Sequence, residues 1–300
     1  MATISKKVVN TAHSPFLKWA GNKLRVLPHL LPHIPVQNGR FIEPFVGSGS
    51  VFLNVKSDAR FSFSSYVVGD YNQDLVDLYD AVVKDPQGTV DRTTLLFDGN
   101  AQMPHGNSRA RYEHLRDVFN GKAVDSVLTQ HGIGKPELFV YLNRHCFNGL
   151  CRYNSSGEFN VPFGTLARAP LVPADAMLGF HRVAQGVRFV GGDYAALLAQ
   201  LNPGSGDVVY LDPPYVPLSI TSSFTSYSKG VFGLIQQQEL ADLANHYAGQ
   251  GAVVLVSNHD TPLVRQLYQG ATIHAFNVQR FVSAKASSRK AAPELLAVFQ

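Results

Sequence analysis

Short apolar runs alternate along this chain with longer segments of helical periodicity. The apolar runs predict strands at residues 41–45, 66–69, 187–190, 208–211, 252–257, 272–278 and 295–299. Helices are predicted at 73–83, 109–119, 137–143, 173–184, 197–201, 236–248 and 263–268. This alternation is typical of an α/β protein.

The alternation stops between residues 73 and 165, where helical patterns follow one another without strands. We therefore predict an inserted, mostly helical domain at 73–165, within a larger α/β domain formed by 1–72 and 166–300. Within the insertion, residues 86–106 indicate loop with short helical pieces. A second long loop is predicted from Tyr215 to Lys229. It is rich in serine and threonine, and we expect it to be a mobile loop at the active site.

Composition restricts the class of protein. The 300-residue chain is 45% hydrophobic, enough for a substantial core, and no apolar run approaches the roughly 18 residues of a membrane span. Residues 1–10 lack the apolar stretch of a signal peptide. The two cysteines, Cys146 and Cys151, cannot form a disulfide framework and favour a reduced protein. We expect a cytoplasmic protein with no membrane association.

Positive charge is concentrated in two segments. Residues 1–40 contain six lysines and arginines and no acid, and residues 279–290 contain four and again no acid. The net charge of +4 is weak by itself, and one such segment would be explained as a solvated face. Two of them flanking candidate site motifs favour a polyanion as partner.

A glycine turn follows the first predicted strand. Gly47 and Gly49 lie between that strand and a helical pattern, an arrangement that lets the backbone approach a ligand at a helix N-terminus. The next strand ends in Asp70, where an acid is typical of ribose binding. The spacing favours an adenosine-containing cofactor, although an ordinary strand–helix–strand unit with a capping aspartate would give the same pattern.

The segment Asp212-Pro213-Pro214-Tyr215 comes directly after a buried strand. It combines a carboxylate, a rigid backbone and an aromatic surface for stacking. These groups suit a planar substrate with an exocyclic amine, such as adenine or cytosine.

Aromatic and cationic residues also mark two other stretches. Trp19 lies near Lys18 and Lys23 beside a turn, which would place a ring and a cation on a ligand, unless Trp19 is a core aromatic. Residues 143–164 predict a β-hairpin rich in arginine, asparagine and aromatics. Such side chains can read guanine or wedge between bases, so DNA recognition is favoured over a merely structural hairpin. Neither the cysteines nor the eleven histidines show metal-ligand spacing, so no metal is expected.

Taken together, these motifs resemble the Dam-type, or D12 class, DNA adenine methyltransferases. The resemblance extends over nearly the whole chain and rests on FLKWAGNK at 16–23, FIEPFVGSGSVFLN at 41–54, NGLCRYN at 148–154, GEFNVPFG at 157–164, DPPY at 212–215 and SNHD at 257–260. It implies a Rossmann-like sheet with an inserted target-recognition domain carrying the hairpin. It further implies S-adenosyl-L-methionine as cofactor, double-stranded DNA as partner, and transfer of methyl to a flipped adenine, within GATC. We expect the enzyme to act as a monomer.

The resemblance also implies roles for individual residues. The catalytic segment would be Asp212, Pro213, Pro214 and Tyr215. The cofactor would be bound by Trp19, Ala20, Gly21, Lys23, Phe45, Gly47, Gly49, Asp70, Asp193 and Asp212. DNA would be bound by Lys18, Phe147, Asn148, Leu150, Arg152 and Pro162, with Arg152 reading a guanine.

Three positions depart from the family pattern. Asn22 replaces a glycine, Phe147 stands where an intercalating tyrosine is expected, and Thr165 where a basic residue is common. Two alternatives remain open from the residues themselves. A cytosine-N4 methyltransferase could use the same carboxylate segment, and a catalytically idle protein could keep the fold for DNA binding alone.

Overall fold

A computed structural model describes residues 13–98, 109–165, 168–217, 232–279 and 291–300. Its centre is a seven-stranded sheet in the order β3-β2-β1-β4-β5-β7-β6. The strands are β1 Arg40–Glu43, β2 Ser65–Asp70, β3 Val187–Gly191, β4 Val208–Leu211, β5 Val253–His259, β6 Thr272–Gln279 and β7 Ala291–Phe299. Every predicted strand is present, and the predicted α/β class with a Rossmann-like sheet is confirmed.

All strands are parallel except β7, which pairs antiparallel with both β5 and β6. The chain order reverses between β1 and β4, which pair in parallel. In such sheets a crevice opens at the carboxyl ends of the strands at this switch point. The fold therefore brings the segments that follow β1, β2 and β4 together at the carboxyl ends of the strands.

Helices cover both faces of the sheet. They are α1 Leu27–Leu30, α2 Ser50–Ser57, α3 Gln73–Lys84, α4 Pro86–Asp98, α5 Arg109–Phe119, α6 Ser126–Gln130, α7 Lys135–His145, α8 Ala174–Ala184, α9 Tyr194–Leu201, α10 Leu234–Gly249 and α11 Pro262–Leu267. Neighbouring residues of β1 show why both faces need cover: Phe41 belongs to one apolar cluster and Ile42 to the other. Among the helices in the described ranges, none combines the length and hydropathy needed to cross a bilayer.

Helix α4 corrects the expectation of loop and short helical pieces at residues 86–106. Pro86–Asp98 is one helix of 13 residues. Its glycine and threonines are poor helix formers, which is why the sequence did not predict it. Thr89 and Thr93 are fully buried, and their hydroxyls bond back to carbonyls four residues earlier, so tertiary packing overrides the local preference.

Helix α3 connects the sheet with the helices that follow it, because it packs on β2 and β3 as well as on α4 and α7. The division of the chain into a domain at 73–165 and a remainder stays a prediction. Residues 218–229 of the predicted active-site loop and residues 280–290 of the basic segment lie outside the described residues.

The predicted hairpin is present and turns at residues 155–157. Antiparallel bridges join Cys146 to Phe163 and Tyr153 to Phe159. The hairpin is held against the helices by side chains, since Tyr112 Oη donates to the carbonyl of Val161 at 2.7 Å. The hairpin therefore has a fixed position on the helical layer.

Candidate active site

A cavity of about 770 Å³ opens at the carboxyl ends of the parallel strands. Its wall is formed by the segment before α1 and by the residues that follow β1, β2, β3 and β4. The predicted site residues in this wall are Trp19, Ala20, Gly21, Lys23, Phe45, Gly47, Asp70, Asp193, Asp212, Pro213, Pro214 and Tyr215. The fold thus brings together, from five parts of the chain, residues that the sequence placed in separate motifs.

Gly49 belongs to the same turn but is not part of the lining. It is the N-cap of α2, with a φ of 76°, and a Cβ there would lie 2.7 Å from the Phe52 ring. Its glycine is required by the start of the helix rather than by contact with the cavity.

The turn after β1 is fixed by Asp70. The backbone N–H of Gly47 donates to Asp70 Oδ2 at 3.0 Å, and that of Asn72 donates to Oδ1 at 2.9 Å. Burial raises the pKa of Asp70, while these two hydrogen bonds act in the opposite direction. A Cβ on Gly47 would lie 2.8 Å from Trp19 Nε1, so only glycine lets the turn and the indole lie side by side.

Asp212 is paired through one oxygen only. Lys23 Nζ lies 2.6 Å from Asp212 Oδ2, donates to the Gly21 carbonyl at 2.8 Å, and lies 4.8 Å from the centroid of the Tyr215 ring. Asp212 Oδ1 is buried and has no hydrogen-bond partner in the part of the chain that the structure describes. Burial raises the pKa of Asp212, and the ammonium of Lys23 lowers it. The result is a hydrogen-bond acceptor held in place in the cavity wall.

Two acidic residues in the wall were not predicted. Glu43, at the end of β1, is 2% exposed, and burial, followed by the charge of Asp212, raises its pKa well above the usual value. Its position between an apolar strand and Pro44 could have indicated it. Glu294 lies on β7, and Tyr215 Oη donates to Glu294 Oε2 at 3.4 Å. No local signal marks Glu294, because only the pairing of β7 with β5 brings it to the cavity.

Aromatic rings form another part of the lining. The centroid of Phe45 lies 5.0 Å from that of Tyr194 and 5.8 Å from that of Phe232. Asp193 caps α9 by accepting from the backbone N–H groups of Ala195 and Ala196. The rings of Phe45, Tyr194 and Phe232 provide an apolar surface of the kind on which flat ligands stack.

The six residues expected to bind DNA all lie outside the cavity lining. Five of them are in the loop after α7 or on the hairpin, and Lys18 precedes α1. Lys18 and Asn143 exchange two backbone–side-chain hydrogen bonds, of 2.9 Å and 2.7 Å, which place Lys18 beside this loop. Phe147 is 47% exposed, and Asn148 has a φ of 55°, which is uncommon for a residue other than glycine. Leu150 is half-buried. The loop therefore exposes an aromatic ring, and the backbone of Lys18 is bonded to the helix that precedes the loop.

Arg152 is exposed on the hairpin. Its Nε donates to Asn160 Oδ1 at 2.8 Å and its Nη2 to the Asn160 carbonyl at 3.1 Å. Pro162 is also exposed, and its carbonyl accepts from the Phe147 N–H at 2.9 Å. The structure thus ties the loop of Phe147 to the hairpin of Arg152, and fixes the direction of the guanidinium.

Within the described ranges, no three His, Cys, Asp or Glu side chains are placed to hold a metal ion. Both cysteines are free thiols. Burial raises the pKa of Cys146 to about 11 and that of Cys151 to about 12, so neither is an activated nucleophile.

A doubly wound sheet, with an acid at the end of β2 and the Asp212–Tyr215 segment at the end of β4 in one cavity wall, has the architecture of an α/β enzyme that binds an adenosine-containing cofactor. Within that class, the model of the family described as "D12 class N6 adenine-specific DNA methyltransferase" matches residues 19–282, and the chain belongs to this family. The protein is accordingly an enzyme that methylates adenine N6 in DNA. Fold and family imply S-adenosylmethionine as the methyl donor.

Curated relatives agree with this assignment. The chain is 42% identical to a DNA adenine methylase of Salmonella typhi, over 95% of each chain. It is 40% identical to that of Escherichia coli K12 and 38% identical to one of Vibrio cholerae, again over 95% of each chain.

Solved structures are more distant. An rRNA methyltransferase, aviRa of Streptomyces viridochromogenes, is 14% identical with a TM-score of 0.40, over 96% of this chain and 90% of that one. TrmN of Thermus thermophilus is 12% identical with a TM-score of 0.38, and its match covers 92% of this chain but about half, 47%, of its own.

Proposed function

We propose that the enzyme binds S-adenosylmethionine and an adenine rotated out of double-stranded DNA in the same cavity, and that its target lies within GATC. The observation that carries the proposal is the unpaired oxygen of Asp212. Its partner oxygen is held by Lys23 at 2.6 Å, whereas Oδ1 has no partner in the described part of the chain. A buried acceptor without a donor is costly, and an exocyclic amine would supply the missing donor.

The chemistry required at adenine N6 explains the segment. The N6 lone pair is delocalised into the ring, so the amine is a poor nucleophile. Asp212 Oδ1 accepts one N6 hydrogen and the Pro213 carbonyl accepts the other, which favours tetrahedral geometry and localises the lone pair. Tyr215 stacks on the base, and rotation of the base out of the duplex gives it access to the segment. Catalysis then consists of positioning and electrostatic stabilisation, without a covalent enzyme intermediate.

The residues around Asp70 fit the proposed cofactor. Asp70 is held by the N–H groups of Gly47, in the glycine turn, and Asn72, and each carboxylate oxygen keeps a second lone pair for a ribose hydroxyl. Gly47 and Trp19 form a flat wall that a Cβ at residue 47 would obstruct. When bound, S-adenosylmethionine supplies an electrophilic sulfonium methyl group. Trp19, Asp70 and Asp193 would bind it and Lys23 would orient Asp212 toward the amine.

DNA recognition is assigned to the exposed loop and hairpin. Arg152 would contact a guanine, Leu150 and Pro162 would make apolar base contacts, and Phe147 would insert between bases with Asn148 beside it. Lys18 would contact the other end of the site. The fixed geometry of Arg152 and Asn160 supports a directed contact. Action as a monomer, and a cytoplasmic location, are part of the same proposal; its relatives named above are bacterial DNA methylases.

The test of the catalytic assignment is Asp212→Ala. We expect N6-methyladenine formation to fall to background, because the amine loses its principal acceptor, while affinity for duplex DNA stays near that of the wild type. The matched control is Asp242→Ala, which removes an exposed acid from α10. Mass spectrometry of digested DNA measures the product, and fluorescence anisotropy measures binding. Near-normal methylation by Asp212→Ala would refute the assignment.

The test of specificity is Arg152→Ala. Loss of a bidentate contact should cost about 1–3 kcal/mol at one guanine and relax selection at that position alone. Sequencing of methylated sites in DNA from a methylation-deficient host would show this as methylation of sites that carry another base at that position. A uniform loss on all sequences would instead identify Arg152 as a phosphate contact.

A further inference from the structure

The segment that follows β4 cannot hold itself in place through its own backbone donors. Pro213, Pro214 and Pro217 have no N–H group, so half of the residues from 212 to 217 lack one. The segment therefore depends on side chains from elsewhere in the fold to fix its carbonyls and its remaining N–H groups.

Those side chains come from α10 and from the end of β5. Gln237 Nε2 donates to the Pro214 carbonyl at 2.7 Å. The Val216 N–H donates to Asn258 Oδ1 at 3.1 Å, and the Val216 carbonyl is bonded to the Nδ1 of His259. Gln237 and Asn258 are both 0% exposed. The backbone is thus held on both sides of Tyr215 by groups that solvent does not reach.

The two amides are also bonded to each other. Asn258 Nδ2 donates to Gln237 Oε1 at 3.1 Å and to Tyr268 Oη at 3.0 Å, and Asn258 Oδ1 accepts a second bond from the His259 N–H. All four amide heteroatoms therefore have partners. Turning either amide over would place a donor against a donor or an acceptor against an acceptor, so the network has one orientation.

We infer that Gln237 is a positioning residue for methyl transfer, acting with Asn258 as an amide clamp on the Asp212–Tyr215 segment. By fixing the Pro214 carbonyl, Gln237 sets the backbone direction on which the Pro213 carbonyl and the Tyr215 ring depend. Gln237 is fully buried and is not part of the cavity lining, so its effect passes through the segment. The inference rests on the proposed role of Asp212, Pro213 and Tyr215.

The first experiment compares Gln237→Met with Gln238→Met. The two residues are neighbours on α10, but Gln238 is exposed and bonds to Asp242 instead. Because small displacements of reacting groups cost up to about 100-fold in rate, we expect Gln237→Met to lower kcat by about 10- to 100-fold. The affinities for S-adenosylmethionine and DNA, and kcat of Gln238→Met, should stay within about twofold of wild type.

The second experiment uses Gln237→Glu at several pH values. A protonated carboxyl has the shape of the amide and can donate to the Pro214 carbonyl, whereas the ionised form cannot and would repel that carbonyl. Burial raises the pKa of a carboxyl, so protonation should occur in the pH range of the assay. We expect kcat of Gln237→Glu, divided by that of wild type, to rise as the pH is lowered. His259 and Tyr268, the titratable groups beside the clamp, are present in both proteins and cancel in this ratio.

These results would overturn the inference: kcat of Gln237→Met within about twofold of wild type, or a kcat ratio of Gln237→Glu that does not depend on pH. Unfolding of both variants, measured by thermal melting, would also overturn it by making Gln237 a core residue only. The proposed function is tested separately, because activity of Asp212→Ala would refute that proposal whatever Gln237 does. Loss of activity in Asp212→Ala with normal Gln237 variants would refute the clamp alone.

Discussion

Lys23 gives the two oxygens of Asp212 different surroundings. Oδ2 lies 2.6 Å from the ammonium, and the same ammonium is bonded to the Gly21 carbonyl. The side chain of Asp212 is therefore fixed by an internal cation before any substrate binds. This arrangement links the FLKWAGNK motif, at residues 16–23, to the chemistry of the segment after β4.

A pH profile tests this link. Burial raises the pKa of Asp212 and Lys23 lowers it, so removing the ammonium in Lys23→Met should raise that pKa further. If Asp212 must be ionised to accept the amine hydrogen, kcat should fall as the pH is lowered. In Lys23→Met, at saturating cofactor, this fall should begin at a higher pH than in wild type. Lys84→Met, a change at an exposed cation at the end of α3 and outside the cavity lining, serves as the control. If kcat of Lys23→Met fell at the same acidic pH as kcat of wild type, this account would be contradicted.

Glu43 gives a prediction about stability. Its pKa in the folded protein is raised, chiefly by burial, so its contribution to stability is full below its unfolded pKa and is lost as the pH rises through the folded value. Glutamine does not titrate. The melting temperature of Glu43→Gln, relative to wild type, should therefore be higher at pH 8 than at pH 5. Glu113→Gln, at an exposed acid, should show no such trend.

Residues directly after a strand were predictable, and residues from distant elements were not. Asp70 and Asp212 each follow an apolar run, so the sequence alone places them at one edge of a parallel sheet. Gln237 and Glu294 lie inside a regular helix and a regular strand, where polar side chains usually face solvent. Only the packing of α10 and the pairing of β7 bring them to the site.

At the scale of elements, the hairpin is attached to the end of β2 and the start of α3. Tyr153 Oη donates to Asp74 Oδ2 at 2.8 Å and to Asn72 Oδ1 at 3.3 Å. Asn72 caps α3 and is bonded through its N–H to Asp70. The element that carries Arg152 is therefore linked to the acid proposed to bind the cofactor ribose.

Tyr153→Phe tests the attachment. We expect the free energy of unfolding to fall by about 1 kcal/mol, the net value of a typical hydrogen bond, and discrimination between target and non-target DNA to weaken. Cofactor affinity should remain normal, because Asp70 keeps its own backbone bonds. Urea denaturation and competition binding measure the two effects, with Tyr247→Phe on α10 as the control. Unchanged discrimination would show that the attachment serves stability only.

Element types were predicted more successfully than element bounds. The strand at Val208–Leu211 has the predicted limits, and helix α5 ends at Phe119 as predicted, because their apolar patterns stop abruptly. Helix α7 begins two residues earlier and ends two later than expected, at Lys135 and His145. Pro136 in its first turn was not recognised as a helix start.

At the scale of the whole molecule, an ion pair joins two central strands at the end of the sheet opposite the cavity. Arg40, at the start of β1, pairs with Asp207, which precedes β4. Asp207 Oδ1 accepts from the Arg40 N–H at 2.8 Å, and Oδ2 accepts from Gly204 at 3.1 Å. The pair joins the two central strands at their amino ends, far along the strands from Asp212.

Arg40→Met should separate stability from activity. Burial raises the pKa of Asp207, but its hydrogen bonds, chiefly with Arg40, outweigh this and the pKa is lowered. A carboxyl whose pKa is lowered on folding stabilises the protein fully at a pH above its pKa in the unfolded chain. This stabilisation is lost as the pH falls through its pKa in the folded protein. We expect a loss of about 1–3 kcal/mol at pH 8, measured by denaturant unfolding, and a smaller loss at pH 4. Activity at low temperature should be unchanged; a fall in kcat would contradict the separation.

The position of β7 has a consequence for synthesis of the chain. β7 is the last strand in the sequence, yet it lies between β5 and β6. A nascent chain that has reached only residue 279 has β5 with a bare edge and β6 with no partner. The four parallel strands before them can pair as they emerge from the ribosome, but Glu294 reaches the cavity only with β7. The wall of the cavity should therefore be complete only after β7 has left the exit tunnel.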